Sequence, residues 1–210
     1  RLLSRGLGDV YKRQAQERLI VEELATNLIG VKIASEKINK LKAKQMPISK
    51  EEVELFKQNL PFKLTNAQER TIKEISDDIS LTKPMRRLVQ GDVGSGKTVV
   101  AAVSMYISAK NDTQSVLLCP TEVLAEQHFK NFSAWFKNSN IKIELLTGKM
   151  PISKRRGIYQ ELENGEIDIL IGTHAVFQDK VKMKNLGLVV VDEQQRFGVK
   201  QRFDLVKKSS

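Results

Sequence analysis

The stretch RLVQGDVGSGKTVVAA, residues 87–102, decides how the rest of the chain is read. Gly91, Gly96, Lys97 and Thr98 satisfy the spacing G-x-x-x-x-G-K-[ST], with a short apolar run before it and an apolar, helix-forming run after it. Glycines at 91, 94 and 96 let the backbone curl until successive N–H groups converge on an anion, and the start of the following helix adds partial positive charge. In this reading Gly91, Asp92, Val93, Gly94, Ser95, Gly96, Lys97 and Thr98 cradle the phosphates of a nucleoside triphosphate. Lys97 sets a cation on the β- and γ-phosphates, and the Thr98 hydroxyl reaches Mg²⁺.

Outward from this loop the pattern is regular. Five short apolar runs, at 87–90, 115–120, 141–148, 168–173 and 186–193, read as strands. Helical stretches at 97–109, 122–137 and 153–163 separate them. Mostly apolar strands alternating with helices predict an α/β fold: a parallel sheet covered on both faces. Ligands of such sheets sit at the carboxyl ends of the strands. Those ends read GDVGSGKT, PTE, LTG, GTHA and DEQQ, so small, polar and charged residues gather on one edge.

The last of these ends supplies the second half of the site. Leu188 to Val191 form a buried strand, and two carboxylates follow. Asp192 is placed to hold Mg²⁺ through its water shell, and Glu193 to orient and deprotonate an attacking water. A carboxylate directly after the metal ligand suggests hydrolysis coupled to work. A switch GTPase would need an Asn-Lys-x-Asp guanine reader, which the sequence lacks. A small P-loop kinase would need a substrate pocket and lid, and none can be located. Upstream, LTNAQERTIKEISDDIS reads as a helix capped by Thr65. Gln68 within it has an amide able to pair with adenine N6 and N7, favouring ATP over GTP; a solvated helix glutamine is the other reading.

The composition agrees with a soluble globular protein: 210 residues, 40% apolar and 29% charged. A net charge of +10 favours polyanions, nucleic acid first among them. The one cysteine, Cys119, lies in the apolar run SVLLCP and reads as buried filler; a chain with a single cysteine forms no internal disulfide and fits a reducing cytosol. No apolar run is long enough to span a membrane, and no signal peptide is visible.

Toward the N-terminus, residues 15–45 carry an apolar stripe at helical spacing and read as one long helix docked on a neighbouring domain. A short helix follows, with Ser49 and Glu52 at capping-box spacing. Residues 15–60 are therefore expected to form a helical linker, and 61–210 the nucleotide-binding domain. Residues 1–14 fit neither; they resemble translated adapter sequence and are expected to form a non-native or disordered tail without function.

In order along the chain, PFKLTNAQ, PMRRLVQGDVGSGKT, CPTEVLAEQH, LLTG, IGTHA and VVVDEQQRFGVKQR resemble the RecG-type ATP-dependent DNA helicases of superfamily 2. The resemblance covers about residues 15–210 and implies that 61–210 is the first RecA-like P-loop NTPase domain, truncated at its C-terminal end. It implies that Gln68 reads adenine, and that Asp192 and Glu193, with Lys97, perform catalysis. It implies that Pro120, Thr121, Glu122, Thr147, Gly148, Gly172, Thr173 and His174 contact the backbone of a DNA strand. Thr121 caps a helix whose first N–H groups can meet a phosphate, and Thr147 and Thr173 offer hydroxyls beside glycines. Gln195 stands where the family pattern has histidine; with Arg196 and Phe197 it is expected to couple hydrolysis to DNA. The implied partner is branched double-stranded DNA, replication forks and Holliday junctions, acted on by a cytoplasmic and monomeric enzyme using ATP and Mg²⁺. The resemblance also implies a wedge domain upstream and a second RecA-like lobe with an arginine finger downstream, so the fragment alone is expected to bind Mg·ATP weakly and not to unwind DNA. The transcription-repair coupling translocase, which shares GDVG.GKT, is the neighbouring alternative; a non-catalytic module that only binds DNA or a partner is another.

Overall fold

The computed structural model describes residues 42–92, 94–178 and 180–193. The chain divides into two compact units, 1–42 and 43–210. The tail 1–14 and most of the helix expected over 15–45 lie outside the described residues, and residues 42–45 are not helical. Ala43 N–H donates to Thr82 O at 2.8 Å and Gln45 Nε2 to Ser80 O at 3.0 Å, so partners around residues 80–82 take the place of a helical ladder.

Within the second unit the first helix, α1 (Lys50–Gln58), begins where Ser49 Oγ accepts from Glu52 N–H at 3.2 Å. Its Val53 and Phe56 are buried. The sequence placed residues 43–60 in a linker; instead Met46, Val53, Phe56 and Leu60 share the core of this unit. Helix α2 (Asn66–Ile79) follows, then α3 (Lys97–Lys110), buried almost all round. Next come β1 (Gln114–Leu118), α4 (Glu122–Trp135), β2 (Ile143–Leu146), α5 (Ile152–Asn164) and β3 (Ile169–Gly172). A 3₁₀ turn (His174–Phe177) and β4 (Leu186–Val191) complete the described elements.

The strands form one parallel sheet in the order β2-β3-β1-β4. Period-two alternation divides their side chains between two cores. On one face Leu117, Cys119, Ile169 and Ile171 pack with α1 to α4. On the other, Val116, Leu118 and Leu170 pack with Ile158 and Leu162 of α5. Burial on both sides explains why Val116–Leu118 and Ile169–Ile171 are apolar at every position rather than alternating.

The run 87–90, expected as a fifth strand, is not one. It makes no ladder among the described residues, and Leu88 is 64% exposed. Arg87 is drawn instead to α2, its guanidinium donating to Glu74 at 2.6 Å and to Asp78 at 2.7 Å. A β-favouring pair, Leu88 and Val89, before a turn satisfies the strand pattern, but a strand also needs a neighbouring edge to bond.

An aromatic stack ties α1, α3 and the end of α4 together. Phe56 lies 4.5 Å from Tyr106 and 4.7 Å from Phe136, and Phe132 stacks on Phe136 at 5.7 Å. Phe132 is fully buried. Phe132→Ala is expected to destabilise the domain by about 3–5 kcal/mol, the cost of lost transfer energy plus a cavity. A urea titration followed by circular dichroism checks this; a midpoint unchanged from the parent would mean the stack contributes nothing.

Candidate functional site

The strand register draws the functional edge of the sheet as a line. Leu146 is level with Gly172, Gly172 with Leu118, and Leu118 with Val191. One residue further on, Thr147, Thr173, Cys119 and Asp192 therefore stand in a row. Backbone bonds seal it: Asp192 N–H donates to Leu118 O at 2.9 Å, Cys119 N–H to Gly172 O at 2.8 Å and Thr173 N–H to Leu146 O at 3.4 Å.

The glycine-rich loop meets this edge at the start of α3. Gly94 and Gly96 have φ of 84° and 76°, which glycine adopts without penalty. Gly96 is the N-cap, and no side chain caps the helix, so its first N–H groups await another acceptor. Lys97 Nζ donates to Gly91 O at 2.6 Å and to Asp92 O at 2.8 Å, folding its ammonium back over the mouth of the loop. Thr98, half-buried, is the next residue of the helix. Val93 lies outside the described residues.

Gln68 is bound into the same loop. Its Oε1 accepts from Thr65 N–H at 2.8 Å, completing the capping box of α2, and its Nε2 donates to Ser95 O at 2.9 Å. A Cβ on Gly96 would strike that Nε2. Both halves of the amide expected to read adenine are thus held by the protein. Gln68→Glu keeps the acceptor but aims an oxygen at the Ser95 carbonyl. It is expected to weaken adenine-nucleotide binding about tenfold, or about 1.4 kcal/mol, the scale of one hydrogen bond lost and one carbonyl left unpaired. Titration with a fluorescent ATP analogue reads this, and an unchanged affinity would remove Gln68 from the site.

Asp192 is half-buried at the tip of β4. His128 of α4, which the sequence reading did not single out, reaches it: Nε2 lies 3.0 Å from Asp192 Oδ2. An ionised carboxylate only accepts, so Nε2 carries the proton of this bond. That hydrogen bond holds the Asp192 carboxyl below the usual carboxylate range; burial opposes it, while the Glu193 N–H and the nearby Lys97 ammonium add to the lowering. Lys97 and Asp192 therefore share one end of the sheet. Glu193 is exposed, with a left-handed φ of 49°, an uncommon conformation for a residue with a side chain and one that turns the chain sharply off the strand. No group of three or more His, Cys, Asp or Glu side chains suited to a metal occurs among the described residues. One anionic carboxylate at the tip of β4 and a hydroxyl at the start of α3 are groups that fit Mg²⁺, which is carried by one or two carboxylates together with substrate phosphates and water.

The residues expected to touch DNA divide into two sets. Thr121, Gly148 and His174 are exposed, and Pro120 and Glu122 half-buried, along the same edge. Thr121 Oγ accepts from Leu124 N–H at 3.3 Å as the N-cap of α4. Thr147 and Thr173 are 4% and 1% exposed, so their hydroxyls do not face solvent as the sequence suggested. Gly172 is required by the sheet rather than by a ligand, since a Cβ there would lie 2.5 Å from Leu146 O. Glu122 turns inward too. Its carboxylate accepts from Lys149 N–H at 3.3 Å and pairs with Lys149 Nζ at 2.9 Å, and this lysine is the main reason its carboxyl lies below the ordinary range. The pair joins the turn after β1 to the turn after β2. Gln195, Arg196 and Phe197 lie outside the described residues.

His128 had one sequence signal. It falls on the stripe Ala125, His128, Phe132, Trp135, the buried face of α4, where a polar side chain needs a partner.

A family model for DEAD/DEAH box helicases matches residues 65–209. The ATP-dependent DNA helicase RecG of Aquifex aeolicus (strain VF5) is 44% identical over 200 residues, covering 95% of this chain and 25% of the relative. That of Staphylococcus epidermidis is 50% identical over 158 residues, covering 75% and 23%. Among solved structures, RecG bound to a three-way DNA junction superimposes with a TM-score of 0.77 at 42% identity, covering 84% of this chain and 24% of that one. The UvsW helicase from bacteriophage T4 shares the fold, with a TM-score of 0.58 at 16% identity, covering 83% and 59%. The chain spans about a quarter of the length of the RecG relatives it matches.

Proposed function

Because this chain belongs to the DEAD/DEAH box helicase family, we infer that it is the first motor domain of a RecG-type ATP-dependent DNA helicase. The observation that supports this best is the match to RecG relatives along most of the chain, with the Lys97 ammonium near enough to help lower the Asp192 carboxyl. Residues 91–98 receive the triphosphate: backbone N–H groups of the loop and the open start of α3 bind phosphate oxygens, and Lys97 leaves Gly91 O and Asp92 O to pair with the β- and γ-phosphates. Thr98 and Asp192 hold Mg²⁺, which supplies neutralising charge at the phosphates. Glu193 takes the proton of the attacking water. Gln68 exchanges its contacts within the protein for the adenine edge.

Thr121, Gly148 and His174, with Pro120 and the Glu122–Lys149 pair behind them, form the face that tracks a DNA strand. Thr147, Gly172 and Thr173 support that face from beneath. Backbone contacts of this kind read no sequence, as translocation along DNA requires. Gln195, Arg196 and Phe197 couple the two activities. Residues 1–14 take no part. The full-length protein works in the cytoplasm as a monomer, away from membranes, on branched DNA such as replication forks and Holliday junctions; a solved relative is bound to a three-way junction. Among the described residues no helix is long and apolar enough to cross a membrane.

The test has two stages. The chain itself should bind a fluorescent ATP analogue more tightly with Mg²⁺ than without. The full-length protein should release phosphate faster when forked DNA is added. Phosphate appearing on a metabolite instead, or DNA binding with no nucleotide affinity, would overturn the assignment.

A further inference from the structure

We propose that His128 is a positioning residue of the nucleotide site, holding the Asp192 carboxylate in the orientation in which it receives a magnesium-bound triphosphate. This rests on the function proposed above and adds a residue that neither the motifs nor the resemblance assigns.

The argument starts from α4. Its buried stripe Ala125, His128, Phe132 and Trp135 locks the helix onto the sheet, and Phe132 is fixed in turn by Phe136 and Trp135. His128 is only 9% exposed, so packing restrains its ring. Asp192 has the opposite circumstance: it stands on the last step of β4, next to a residue in left-handed conformation, with about a third of its side chain open to solvent. A carboxylate there has two side-chain torsions to settle, and the ring of His128 settles them through the 3.0 Å bond from Nε2 to Oδ2. The other ring nitrogen, Nδ1, is buried and has no hydrogen-bonding partner among the described residues. Among the described residues Asp192 is the ring's one polar anchor, and a polar ring in that stripe would be a cost to the fold without it. Outer partners of a metal-holding carboxylate fix its orientation and basicity, and removing one typically lowers metal affinity about 10- to 100-fold.

A purely structural role makes a different prediction from a positioning one. If His128 only fills space, replacing it changes the unfolding midpoint and leaves the magnesium dependence of binding alone. If it positions Asp192, the magnesium dependence of binding changes, whatever the unfolding midpoint does. The experiment titrates Mg²⁺ into the 210-residue chain at a fixed concentration of a fluorescent, non-hydrolysable ATP analogue, with a parallel titration in EDTA. His128→Leu is expected to raise the half-saturating Mg²⁺ concentration about tenfold or more while leaving the metal-free nucleotide affinity within about twofold. His128→Gln, whose amide nitrogen reaches the place of Nε2, is expected to restore most of the loss. His128→Asn, too short to reach, is expected to match Leu, and it carries the test if the leucine variant does not fold. A folded leucine or asparagine variant with the parent's magnesium dependence would overturn the proposal, as would equal losses with and without metal. A parent chain showing no magnesium-dependent nucleotide binding would instead sink the functional reading on which the proposal stands.

Discussion

Glu193→Gln is expected to leave Mg·ATP affinity within a few-fold of the parent and to slow hydrolysis by the full-length protein about 10²- to 10⁴-fold, the usual contribution of a positioned general base. The substitution isolates one property. Glutamine has nearly the same volume and can still accept a hydrogen bond from water, but its amide does not take a proton near neutral pH. The left-handed backbone at residue 193 is kept, because glutamine meets the same steric limits there as glutamate. Asp192 is untouched. Affinity is read with the fluorescent analogue and turnover by phosphate release in the presence of forked DNA. Ordinary turnover by the variant would place the base elsewhere.

Lys97→Ala is expected to weaken triphosphate binding about 100-fold or more. Each charge-assisted hydrogen bond to a phosphate is worth about 1.5–3 kcal/mol, and Lys97 can make one to the β- and one to the γ-phosphate. The fold should not suffer. The carbonyls of Gly91 and Asp92 that Lys97 now contacts belong to exposed residues, so water replaces the ammonium at little cost. An unchanged unfolding midpoint together with lost binding is the expected pair of results. Binding within about threefold of the parent would remove the loop from the phosphate-binding role.

The sequence made the sheet legible because strands of a sheet covered on both faces must be mostly apolar, and four such runs were present between helical ones. The helix bounds were legible from capping chemistry: Ser49, Thr65 and Thr121 each cap the helix expected of them. The run at 87–90 was misread because its composition matches a strand, while pairing depends on an edge that no local pattern reveals. Residues 43–60 were placed outside the core because a Pro-marked connection looks like a boundary; the burial of Phe56 depends on Tyr106 and Phe136, some 50 and 80 positions away. The same distance in sequence hid the His128–Asp192 bond. At Thr147 and Thr173 the residue type suggested a surface hydroxyl, whereas position on the sheet put both side chains under the edge.

Cys119 sits in the row beside Asp192 with no exposure, and its thiol is pushed up to about 12, first by burial and then by the Asp192 charge. Alkylating reagents attack the thiolate and need access, so the native chain offers them neither. Dyes or spin labels can therefore be attached at cysteines introduced on the outer face of Thr121 or Gly148 without first deleting the natural one, and any modification of Cys119 itself records a molecule that has come apart.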